Sequence, residues 1–126
     1  MNPPPPPGPP DVAELQELID QWAGFARDLE RQGYTFDLDN WLNDVDVREL
    51  ILEALPMFSR EEMGDHALKL DEADRAFLAA TRDFKRCVWG GGTARKEHWN
   101  AQKNWWYFRT PTRTNAQLED ELATVR

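Results

Sequence analysis

The chain has one cysteine, Cys87, in 126 residues. That excludes an intramolecular disulfide and fits a reducing compartment such as the cytoplasm. No run of about 18 apolar residues occurs, so no membrane-spanning helix is expected. The N-terminus lacks a basic stretch followed by an apolar one, so no secretion signal is expected there. Histidine is nearly absent: His66 and His98, with Cys87, are the only soft or borderline metal ligands. They lack the paired spacing of a structural zinc site. Glu62 and His66 stand one helical turn apart, which reads as a surface ion pair, and neither metal nor cofactor is expected.

Catalytic signatures are also missing. Gly90-Gly91-Gly92 lacks the Gly-Lys-Ser/Thr ending of a phosphate loop and reads as a turn, and no Gly-x-Ser-x-Gly elbow is present. Cys87 with His98 and an acid is the combination that an alternative reading as a small enzyme would use. The acidic run Asp37, Asp39, Asp44, Asp46 and Glu49 fails as a calcium loop. Leu42 stands where that loop needs glycine, and Arg48 where it needs glutamate.

What is abundant is charge and aromatic bulk. Charged residues make up 30% and apolar residues 40%, with six Trp, six Phe and two Tyr, enough bulk for one folded domain over residues 11–126. The net charge of -8 is unevenly distributed. Residues 11–74 hold 18 acidic and 5 basic side chains, whereas residues 75–113 hold 2 acidic and 9 basic ones. Two such regions either neutralise each other within the fold or address partners of opposite charge.

Residues 1–10 (MNPPPPPGPP) form a proline-rich arm expected to be extended and to lack a core of its own. Asp11 with Glu14 opens a helix whose apolar positions (Leu15, Leu18, Ile19, Trp22, Phe25, Ala26, Leu29) form one stripe, and Gly33 closes it. Asp37 or Asp39 opens a second helix, apolar over a wide arc and stopped by Pro56. On it Arg48 is expected to pair with Asp44 at i,i+4. Ser59 with Glu62 is a capping box, so helix is expected from about 60 to 69 and, after a break near Asp71, from about 72 to 84, with one long, kinked helix as the alternative. Cys87-Val88-Trp89 and Trp105-Trp106-Tyr107-Phe108 are β-prone and are expected to pair as an aromatic ribbon. Thr114 with Gln117 is expected to cap a last helix. The expected fold is therefore mostly α (α+β): three to five helices with a small two-stranded aromatic ribbon or an irregular segment.

Two surfaces stand out. The acidic side of the second helix (Asp39, Asp46, Glu49) and the aromatic strand (Trp106, Phe108, Arg109) are the candidate interfaces of a non-catalytic cytoplasmic protein-binding module. Such a module would act as an adaptor, an immunity-type or an inhibitor-type protein, with a basic protein surface as partner. The alternative is single-stranded nucleic acid, bound by the basic and aromatic residues of segment 85–113: Lys85, Arg86, Trp89, Arg95, Lys96, Trp99, Lys103 and Trp106. The overall acidity weighs against it.

Overall fold

The computed structural model describes residues 10–126; apart from Pro10, the proline-rich arm lies outside them. Helix α1 (Val12–Gln32) starts where the Asp11 carboxylate accepts the Glu14 amide at 2.8 Å, satisfying a backbone donor that the first turn leaves unpaired. Its stripe of Leu15, Ile19, Trp22, Ala26 and Leu29 is fully inside. Gly33 ends it at φ 73°, with Arg113 so close that a Cβ would lie 2.8 Å from the Arg113 carbonyl oxygen. The next amide, Tyr34, donates to that same carbonyl at 2.8 Å. Gly33 thus ties the end of α1 to the C-terminal segment. Gly33→Ala is expected to cost about 2 kcal/mol, from a glycine-only backbone conformation and the clash together, read as a lowered urea midpoint.

Helix α2 (Leu38–Ala54) is capped by Asp37, which accepts the Asn40 amide at 3.0 Å. Trp41, Leu42, Val45, Val47, Ile51 and Ala54 are buried, the wide apolar arc of a helix covered on more than one side. Pro56 follows in a 3-10 turn, Leu55–Met57. The Ser59–Glu62 capping box forms in both directions at 3.1 Å each. Helix α3 is nevertheless a single turn, Arg60–Met63. The break falls at Gly64, φ 62°, rather than near Asp71. Helix α4 (Asp65–Ala80) then runs unbroken through Asp71 and Asp74. Those acids are spent elsewhere: Asp71 accepts from Arg60 at 3.0 Å, and Asp74 reaches into the core.

The two-stranded antiparallel sheet exists, but its strands are not the expected ones. Strand β1 is Thr81–Asp83, where the third helix was expected to continue, and β2 is Arg109–Pro111, with Arg82 opposite Thr110. Trp105–Phe108 is a 3-10 turn, and Cys87 and Val88 are buried in the connection before helix α5 (Gly91–Glu97). Burial explains the difference. A strand would turn Trp106 and Tyr107 to opposite faces, whereas the helical turn buries both neighbours together, each to 1% exposure. Arg109 fixes the sheet: its guanidinium donates to the Thr81 hydroxyl at 2.7 Å, the Thr81 carbonyl at 3.0 Å and the Asp83 carboxylate at 2.8 Å. Helix α6 (Ala116–Ala123) is capped by Asn115, one residue after the expected Thr114.

Helices α1, α2 and α4 enclose the main core, in which Trp22, Phe25, Trp41 and Phe77 meet ring to ring. A charge lies within it. Arg48 donates through Nε and Nη2 to the two oxygens of Asp74, at 2.9 and 3.0 Å, instead of pairing with Asp44. Its guanidinium sits 4.8 Å from the Trp106 ring centre and 5.5 Å from that of Trp105. Asp74 also accepts the Trp22 indole N–H at 2.9 Å. No helix among the described residues is long and apolar enough to cross a membrane.

Candidate functional site

The outer side of α2 carries Asp39, Asn43, Asp46, Leu50 and Glu53 at three- and four-residue steps, with Glu49 beside them. This puts Asp39 and Asp46 on one stripe, as expected. Their environments differ. Asp39 and Glu53 are exposed, whereas Asp46 and Glu49 are half-buried under the segment that follows β1.

That segment hangs on the two carboxylates. One oxygen of Asp46, Oδ1, accepts the Tyr107 hydroxyl at 2.7 Å and the Trp89 indole N–H at 3.1 Å. Glu49 accepts the Asn104 side-chain amide at 2.6 Å. One turn earlier Asp44 accepts the Tyr34 hydroxyl at 2.6 Å. The acidic and the Trp-rich regions therefore do face each other, but they are joined by neutral donors rather than by ion pairs. A neutral donor satisfies a lone pair without cancelling the charge. The α2 carboxylates therefore keep their charge at the junction, offset in part at Glu49 by nearby Lys103.

Between α2, α5 and the 3-10 turn lies an open groove of about 380 Å³. Asp46, Glu49 and Glu97 supply its acids, and Trp89, Trp99 and Tyr107 its aromatic walls. The Trp99 and Tyr107 rings stack with centres 4.1 Å apart. Leu50 and Trp89 form a greasy rim, 48% and 37% exposed. A neighbouring hollow shares Glu49, Glu97 and Trp99 and adds Glu53 and Lys103. Sequence reasoning missed Glu97, Leu50 and Tyr107 as parts of one site. Only the position of Glu97 in α5, set by Gly90 and the left-handed His98, brings it across from α2.

Burial pushes the Glu49 carboxyl above the ordinary glutamate range; the Asn104 amide pulls it partly back, and neighbouring Glu53 adds to the rise. Asp44 is raised in the same way, by burial opposed by the Tyr34 hydroxyl. A carboxyl raised in the folded state binds more protons there than in the unfolded chain. Stability is therefore gained as pH falls through the raised value and levels off below the ordinary one. Glu49→Gln keeps an acceptor for Asn104 and removes the half-buried charge. It is expected to stabilise the protein at pH 7 by a few tenths of a kcal/mol, solvent screening allowed for. That gain should shrink as pH falls toward the carboxylate range, as checked by thermal melts at pH 7 and pH 4.

The other expected site residues are dispersed. Trp106 is core, 1% exposed, beneath Arg48; Phe108 is half-buried against the core, and Arg109 is spent on the sheet. The aromatic segment, which by sequence could be core or interface, is mainly core. Lys85 and Arg86 line a cleft near α6 with Arg82 and Glu119, away from the groove that holds Trp89 and Trp99. Arg95, Lys96 and Lys103 are exposed. The aromatics suited to stacking bases thus sit among carboxylates that repel a phosphate backbone. Cys87 is buried, and burial pushes its thiol up, opposite to an activated nucleophile, while His98 is exposed at the end of α5. His66 meets Asp20 of α1 at 2.9 Å, and Lys69 meets the same oxygen at 2.6 Å. Both hold the Asp20 carboxyl below its usual range, Lys69 more strongly. Glu62 is engaged in the capping box instead. Comparison with protein-family models, with curated proteins and with solved structures finds no match for this chain.

Proposed function

We propose that the protein is a small, non-catalytic, cytoplasmic protein-binding module that presents the acidic, aromatic-rimmed side of α2 to a basic protein surface. Its candidate roles are those of an adaptor, an immunity-type or an inhibitor-type protein. The observation that carries the reading is the groove between α2 and α5. Acids converge there with exposed Trp89 and Leu50, and among the described residues no basic side chain lines the groove itself, Lys103 lying in the adjoining hollow beside Glu49. Aromatic anchors beside an excess of carboxylates favour a selective contact, and the charge speeds encounter at low salt. A free, buried cysteine suits a reducing cytoplasm.

The test is affinity capture from the native host with immobilised wild-type protein beside a charge-reversed form, Asp39→Lys with Glu53→Lys. Both sites are exposed, so the fold should survive. Basic proteins should be retained by the wild type, released at about 0.5 M salt, and lost on the variant. Identical captures on the two baits would overturn the reading. A labelled single-stranded oligonucleotide should not be retained at low salt; retention would favour the Lys85 and Arg86 cleft as a nucleic-acid site instead.

A further inference from the structure

We propose, resting on the protein-binding reading, that the groove between α2 and α5 takes one arginine side chain of the partner, its guanidinium against the Asp46, Glu49 and Glu97 carboxylates and its flat face on the indoles. Three observations lead there. First, the acids have acceptor capacity to spare. Both hydrogen bonds to Asp46 fall on Oδ1 and leave Oδ2 free, and Glu97 makes no ion pair among the described residues. Second, the walls are aromatic and held in place. Trp99 stacks on Tyr107, and both Trp89 and Tyr107 are pinned by their polar atoms to Asp46. A cation over such rings is attracted by their π-faces, and a partly desolvated site strengthens the attraction. Third, the molecule uses the same arrangement internally, where Arg48 forks onto Asp74 and lies against Trp105 and Trp106.

Arginine is preferred over lysine by geometry. A guanidinium offers a planar fork that matches a carboxylate and stacks on an indole, while an ammonium is a more strongly hydrated point charge. A neutral proline-rich or aliphatic segment would fill the rim but leave the carboxylates facing an apolar guest.

The experiment titrates blocked tripeptides, Gly-Arg-Gly, Gly-Lys-Gly and Gly-citrulline-Gly, into the full-length protein and follows the Trp89 and Trp99 indole N–H signals by NMR. The arginine peptide should shift both saturably, with a Kd roughly in the millimolar range because one side chain bears the whole cost of association. The lysine peptide should bind about five-fold more weakly, and the citrulline peptide, equal in shape but uncharged, should leave the signals in place. Asp46→Asn retains an oxygen for Trp89 and Tyr107 and should weaken the arginine peptide about ten-fold; Glu97→Gln, more exposed, about three-fold. Equal binding of the arginine and citrulline peptides would overturn the proposal. So would undiminished binding to both variants, or no response to arginine at tens of millimolar. A silent arginine peptide together with salt-sensitive capture that the α2 reversal abolishes would remove the arginine pocket and leave the protein-binding module standing. Failure of both would remove the module as well.

Discussion

Arg48→Ala is expected to lower the free energy of unfolding by about 3–5 kcal/mol, enough to take a typical small domain close to its limit. The reason is what it leaves behind. Asp74 would lose both partners of its fork and keep its charge against the core, with only the Trp22 indole N–H to hold it. The Trp105 and Trp106 rings would lose the cation lying against them. Asp74→Ala should cost about as much by stranding Arg48, whose side chain is only 9% exposed. The pair Arg48→Met with Asp74→Leu should recover part of the loss, because an apolar pair of similar volume has no ion-pair desolvation cost, while the buried Trp22 indole N–H loses its acceptor. Urea denaturation of the three variants gives the comparison. Near-neutral single variants would show that the pair is solvated and that the core does not depend on it.

Trp106→Ala is expected to cost about 3–5 kcal/mol, since truncating a fully buried indole removes its transfer free energy and opens a cavity. The same change at Trp89, 37% exposed, should cost about 1 kcal/mol or less. The contrast bears on function. Two tryptophans from one aromatic, basic segment would be indistinguishable if that segment were a surface strand. Because Trp106 lies under Arg48 and Trp89 lines the groove, stability should track the first and partner binding the second. Arg48→Ala with Trp106→Ala should cost less than the sum of the single changes, because the two side chains touch.

The helical part of this arrangement was legible in the sequence because it is local. Asp11, Asp37 and Ser59 cap the helices that their spacing announces, and the stripe from Leu15 to Leu29 is the buried one. The failures share a cause, which is tertiary contact overriding local preference. The helix breaks at Gly64, φ 62°, and not at Asp71, whose second capping pattern goes unused because Asp71 and Asp74 serve Arg60 and Arg48 across space. Trp105–Phe108 reads as a strand by composition and folds as a 3-10 turn, in which Trp106 and Tyr107 are both buried. Arg48 had an obvious partner one turn away in Asp44, which goes to Tyr34 instead. The site was half visible. The stripe of Asp39 and Asp46 follows from helical spacing. That Trp89, Trp99, Tyr107 and Glu97 would converge on Asp46 and Glu49 follows from no spacing, since the two parts lie some forty to sixty residues apart and meet only through hydrogen bonds such as Tyr107 to Asp46.

The uneven charge is thus half absorbed and half presented. Asp44, Asp46 and Glu49 receive neutral donors from within, while Asp39, Glu53 and Glu97 face outward. Whether that outward charge serves recognition is tested most directly on one variant, Glu53→Lys with Glu97→Lys, for which unfolding free energy and capture of basic host proteins are measured side by side. Both residues are exposed, so stability should stay within about 0.5 kcal/mol of the wild type while salt-sensitive capture is lost. A fall in stability of about 2 kcal/mol or more, or capture that persists unchanged, would contradict a recognition role for this face.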